Sequence, residues 1–323
     1  MNNVVKALFY AFGGSNYLKA HLWEHCLGAY FADYNIPYFR ATTHPLSVYF
    51  LFKEDFPELP KVSELLPYID NQKIRLNIEF LKDLDARVSL IKTLHRLYSE
   101  SWEGARKRIE EILELDKEEL ISFFKRMYET KREVLTLSEK LPKISKEDAF
   151  VPVRKKISVP KLNDGLDIAE IAIRLPLSVT TESYFANLRS QIKGKLDKLV
   201  ILGDLTYSVH RDIYTLQGGY RYLSFSFKTK AGKGEQVLDK LYEVLSAFEI
   251  KSEGFERWKT WKIEQARETS KKRKLRDPWH IELLLFRRIL RPEDFEDLEY
   301  QTMQELHKKV FSERSEIYFL MDF

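Results

Sequence analysis

Seven histidines are spread over the 323 residues of the chain, and two of them stand four positions apart in the stretch Lys19-Ala20-His21-Leu22-Trp23-Glu24-His25-Cys26. On an α-helix, residues four apart stack one turn above each other on the same face. His21 and His25 can therefore offer two imidazoles to one metal ion. Glu24 lies at the edge of that face, close enough to hold a water at the metal without being a ligand itself. Zinc bound by three protein groups keeps a fourth position for water and lowers the pKa of that water to about 7, so a nearby carboxylate can take its proton. The pattern thus points to hydrolysis, with His21 and His25 as metal ligands, Glu24 as catalytic base and Zn2+ as cofactor. The plain alternative is that both histidines are partly buried helix residues and Glu24 is solvated.

The elements around the pentad decide between these readings. Val4 to Phe12 is an apolar, aromatic run of strand length, closed by Gly13-Gly14. Ser15 or Asn16 is a sound N-cap for a helix running to about Asp33. His-x-x-Glu-His inverts the commoner His-Glu-x-x-His order and marks the inverted zincins. A strand, a Gly-Ser turn and a helix with this pentad near its middle resemble the opening of the pitrilysin-like (M16) metallopeptidases.

Further motifs carry the resemblance along the chain. Ile36 to Thr43 and Ser47 to Phe52 read as two strands joined at His44-Pro45-Leu46. Ala41-x-Thr43 followed by Val48-Tyr49-Phe50 is similar to the family's substrate strand, which pairs with the peptide main chain at a sheet edge. The resemblance makes Arg40, Ala41, Thr42 and Thr43 substrate-binding residues, with Arg40 standing where the family usually has Asn. From Asn71 to about Tyr98, apolar residues recur at three- and four-residue spacing and predict one long helix. The resemblance implies a third metal ligand there, from a Glu on a downstream helix. Glu79 matches by pattern, with Asp83 one turn further in reserve. Glu100 and Glu103 sit nearer the family's raw spacing, in what reads as the following loop. Asp116 caps a helix with Glu119 completing a capping box, and the strand Glu133 to Leu137 follows, similar to the block that closes the family's first domain.

Ser138 to about Asp164 is rich in Lys, Pro and Ser and lacks periodicity, which reads as a linker. The expected organisation is a zinc-binding domain over 1–140, a linker over 141–164 and a second domain over 165–323. After it, Leu166 to Leu175 alternates as a half-buried strand, a helix runs to Ile192, and a hairpin from Leu205 to Lys228 turns on Gly218-Gly219. This hairpin and the helix from Gly234 to Phe248 resemble the family's second domain. The fold class expected is α+β, two similar repeats, each with a mostly antiparallel sheet packed on helices. In the family a Tyr here, matching Tyr207, acts with an Arg seven positions earlier to hold substrate across the opposite half. Position 200 is Val, with Lys198 and Arg189 the nearest basic residues, so the pair is not intact. The resemblance therefore implies a zinc endopeptidase subunit acting on peptides, closed by a different M16-like chain that carries the intact pair. A homodimer is the second choice. The alternative function is a noncatalytic binding or scaffold subunit.

Composition bounds these readings. Apolar residues at 44% and aromatics at 13% supply real cores. Charge is balanced, 53 basic against 49 acidic residues for a net +4, too slight a bias to argue for nucleic acid. The basic cluster Lys271 to Arg276 reads as a solvated helix end or loop. His44, His95, His280 and His307 lack ligand-spaced partners. Cys26 is the single cysteine, so no disulfide framework is expected, and no run approaches the length of a membrane span. With no signal peptide evident, the expected compartment is the cytoplasm.

Overall fold

The apolar run at the start of the chain forms β1, Lys6–Ala11, an inner strand of an antiparallel sheet that has four strands among the described residues. This computed structural model describes residues 6–38, 40–44, 47–52, 56–86, 90–97, 99–134, 156–159, 165–203, 208–216, 220–272, 290–313 and 317–322. The other strands are β2 (Arg40–His44), β3 (Ser47–Phe52) and β4 (Lys131–Val134), in spatial order β2-β3-β1-β4. Leu8 pairs with Phe50 and Tyr10 with Val48, and these side chains share one face with Phe12 and Phe52 in the first core.

The helix carrying the pentad, α1 (Tyr17–Asp33), lies on that face. Trp23 is fully buried and meets the Tyr10 ring edge-on at 4.5 Å. Removing that much apolar surface from water contributes about 3 kcal/mol or more, so the helix is clamped at its centre. Its start differs from the cap expected. Gly14–Asn16 forms a short 3₁₀ turn in which the Asn16 N–H donates to the Gly13 carbonyl at 2.8 Å, and no side chain caps the helix.

After α2 (Val62–Leu65), the stretch expected to be one long helix from Asn71 to Tyr98 holds α3 (Ile69–Ala86) and α4 (Leu90–Arg96), with 87–89 outside the described residues. The apolar spacing continues through both, because both bury a stripe in the same core (Leu76, Phe80, Leu84, then Ile91, Leu94). Arg96 on α4 nevertheless reaches back to Asp83 on α3, so the two are not one straight helix, which periodicity alone could not reveal. Glu103, read as part of a loop, belongs to the first turn of α5 (Trp102–Glu114), whose N-cap Ser101 accepts a hydrogen bond from the Gly104 N–H. Helix α6 (Lys117–Glu129) begins as expected, with the Asp116 carboxylate accepting from the Glu119 N–H at 2.8 Å. Strand β4 starts two residues earlier than the segment read as strand, and residues 135–137 lie outside the described residues.

The second sheet has the order β5-β9-β6-β8-β7, built from β5 (Lys156–Val159), β6 (Leu166–Pro176), β7 (Ser208–Leu216), β8 (Tyr220–Lys230) and β9 (Ile317–Asp322). All its pairings are antiparallel except β5 with β9. Strand β5 falls within the stretch read as linker, and the rest of 141–164 lies outside the described residues. Strand β9, a segment not read as strand from the sequence, sits inside the sheet. One face of β6 and β8 packs on α7 (Val179–Gln191), α9 (Gly234–Ser246) and α10 (Ser252–Lys272), with α12 (Tyr300–Glu313), past the short α11 (Glu293–Glu296), closing a second core. Helix α8 (Lys193–Gly203) precedes β7. On the other face Ala172 and Tyr222 join the first core, and Lys92 on α4 meets Asp212 on β7 at 3.1 Å. The architecture is α+β, two sheet-and-helix units. No helix among the described residues is long and apolar enough to cross a membrane.

Candidate metal and peptide site

Helical spacing puts the two histidines of α1 side by side, with ring centroids 4.7 Å apart. What the helix cannot supply is a third group. That arrives from α3, which crosses α1 so that Glu79 Oε2 lies 3.6 Å from His25 Nε2. One ligand atom each from His21, His25 and Glu79 lies within 4.8 Å of the other two. Two imidazoles and a carboxylate are a donor set that suits a divalent zinc ion. A cation about 2.1 Å from each donor needs them about 3.4 Å apart in a tetrahedron, which side-chain rotation alone can reach.

The electrostatics favour the same use. Burial, then the neighbouring His25 and Arg96, pushes His21 well below the ordinary histidine range, and burial with Arg75 lowers His25. Both rings are thus neutral at pH 7, the form that can donate a lone pair. Burial raises the Glu79 carboxyl, and Arg96 opposes that rise. Glu24, whose Oε2 lies 3.8 Å from His21 Nε2, is pushed up to about 7 by burial, against the lowering effect of a hydrogen bond from Thr43.

Three supporting roles escaped the sequence reading, one of them that of Thr43, which was read only as a substrate-binding residue. Gln72, buried on α3 two turns before Glu79, stands beside His25 and works against the lowering of its ring. Arg96, on α4, lies over the rings of Tyr17 and Phe80 at 5.5 and 5.2 Å. Its Nε donates to the Tyr17 hydroxyl at 2.8 Å, its Nη1 to Asp83 at 3.3 Å, and its Nη2 stands 3.9 Å from Glu79. Asp83, the reserve for the third ligand, is therefore turned to Arg96 and is not grouped with the histidines. The third is Thr43, whose hydroxyl donates to Glu24 Oε2. A signal for Gln72 existed, since it shares a helix face with Glu79. Arg96 and Thr43 had none, because their partners are set by the packing of separate elements. Outer groups of this kind typically change metal affinity 10–100-fold. Gln72→Ala is accordingly expected to weaken zinc binding by about 10-fold or more, measured by competition with a chromophoric chelator.

Among the described residues, strand β2 is the outermost strand of its sheet and pairs only with β3. Alternation along a strand sends Ala41 and Thr43 to the side of α1, and Arg40 and Thr42 to the opposite side. Thr42 turns its hydroxyl to the Ala41 carbonyl at 2.6 Å. Tyr207 and His280 lie outside the described residues, as do Arg273 to Arg276. His307 is buried in the second core, its Nδ1 3.0 Å from the Tyr184 hydroxyl. Cys26 is a buried thiol that burial raises to about 12.

By sequence the chain matches no family model and no curated protein. By structure it is similar to the periplasmic protease PqqL from Escherichia coli, with a TM-score of 0.56 at 13% identity, covering 99% of this chain and 45% of that one. A protease from Helicobacter pylori superposes with a TM-score of 0.57 at 12% identity, covering 98% of this chain and 93% of that one. Pitrilysin gives 0.54 at 10% identity, covering 98% of this chain and 40% of pitrilysin. The chain spans about half the length of PqqL and of pitrilysin. Its fold is that of one half of a pitrilysin-type (M16) peptidase.

Proposed function

We propose that this chain is the metal-bearing subunit of a zinc endopeptidase that hydrolyses peptides or small unfolded polypeptides in a chamber closed by a partner subunit. The observation that carries the reading is the convergence of His21, His25 and Glu79 within 4.8 Å, beside a partly buried Glu24, on a peptidase-half fold. His21, His25 and Glu79 would hold the ion. Zinc, when bound, supplies Lewis-acid polarisation of the peptide carbonyl and activation of water. Glu24 Oε2 accepts a proton from the attacking water and returns it to the leaving amine, for which a carboxyl near pH 7 is well matched. The peptide docks along the open edge of β2, with main-chain groups of Ala41 to Thr43 as its partners. The imperfect match at Tyr207 and Val200 favours a different chain as partner over a second copy of this one.

The test is the metal content of the purified chain together with peptide hydrolysis by the native assembly. About one zinc per chain is expected, falling to a few tenths or less in His21→Ala. A chain without zinc, unaffected by His21→Ala, would identify a noncatalytic scaffold subunit.

A further inference from the structure

We infer that Thr43 is a positioning residue for the base: the strand along which the peptide would dock also aims the Glu24 carboxylate. The inference rests on the peptidase reading above. Thr43 is 19 positions from Glu24 in sequence and belongs to a different element, yet its hydroxyl donates to Glu24 Oε2. Among the described residues no other side chain hydrogen-bonds Glu24. His21 Nε2, at 3.8 Å, is beyond hydrogen-bond range. A glutamate side chain has freely rotating torsions, and leaving them unrestrained disperses the carboxylate over several positions. Thr43 removes that freedom from outside the helix.

The residue type suits the task. A β-branched side chain in a strand is stiff at its first torsion, so the hydroxyl of Thr43 is pre-aimed by the backbone of β2. Register places it on the side of the sheet that faces α1, whereas its neighbour Thr42 faces away and bonds the Ala41 carbonyl. Pairing of a peptide with the edge of β2 would hold this strand still, and with it the carboxylate. Docking and base orientation then share one residue, so binding energy from the peptide's remote residues reaches the reacting centre.

Thr43→Val keeps the shape and strand preference of threonine and removes only the donor. In the native assembly it is expected to lower kcat about 10–100-fold with little change in KM, while zinc content stays at the wild-type level. Thr43→Ser, which restores a hydroxyl, is expected to recover most of the loss, a response that a purely structural role would not give. A Thr43→Val enzyme within about twofold of wild-type kcat would overturn the assignment. A crystal structure of Thr43→Val covers the case in which the wild-type assembly is itself inert. There the Glu24 carboxylate is expected to leave its wild-type position, and an unmoved carboxylate overturns the inference. Inert wild type with a displaced Glu24 would reject the peptidase reading and keep the positioning role.

Discussion

Glu24→Gln is expected to abolish peptide hydrolysis by the native assembly, by about 10³-fold or more, while leaving the metal content unchanged. Glutamine has the size of glutamate and can still accept the hydrogen bond from Thr43, so the substitution leaves the packing of α1 intact. What it removes is the ability to take a proton. Glu24 is not among the three groups whose ligand atoms converge, so metal should be retained. The measurement is turnover of an unfolded peptide beside zinc analysis of the same sample. Turnover at the wild-type rate would eliminate Glu24 as the base, and loss of metal would make it a ligand instead.

The same substitution is expected to have the opposite sign in the stability of the metal-free chain. Glu24 titrates at about 7 in the folded state against 4.5 in the unfolded one. Between those values the folded chain holds a proton that the unfolded chain has released, so stability falls as pH rises through the window. Above pH 7 the ionised, largely desolvated carboxylate destabilises the fold by about 3 kcal/mol. The amide of a glutamine in its place does not titrate. In chelator, the stability of Glu24→Gln relative to wild type should therefore rise by about 3 kcal/mol between pH 4.5 and pH 8, read from urea denaturation at several pH values. His21 and His25 work the other way: their lowered folded values make stability fall as pH drops below 6.5. Wild type and variant both carry those histidines, so that contribution largely cancels in the difference. A difference that stays flat across the window would show that Glu24 is not desolvated as the structure has it. An inactive variant that is more stable than its parent is the expected pattern where a site holds a charge against the preference of its surroundings.

Much of the fold could be read from local pattern. Strand β1, helix α1, the capped start of α6 and the β7–β8 hairpin all depend on near neighbours: period, a capping side chain, a turn residue. The readings that failed were those where packing overrides pattern. Helices α3 and α4 share one apolar stripe, yet Arg96 on α4 folds back onto Asp83 of α3. Strand β9 draws its place from pairing with β5 and β6, far away in sequence. Helix α5 is rich in charge and contains Gly104, which hid its buried stripe of Trp102, Ala105, Ile109 and Ile112.

The site divides along the same line. That His21, Glu24 and His25 share one patch of helix follows from 3.6 residues per turn, and sequence alone determines it. Which carboxylate approaches them depends on how α3 crosses α1, and no spacing encodes that crossing. Glu79 and Asp83 stand one turn apart on the same face, so helical spacing alone does not choose between them. Arg96, brought in on α4, separates them, because its fork draws Asp83 to 3.3 Å while Glu79 faces His25. Thr43 shows the point most simply: it is an ordinary strand residue in the sequence, and only the packing of β2 beside α1 turns it toward the carboxylate of Glu24.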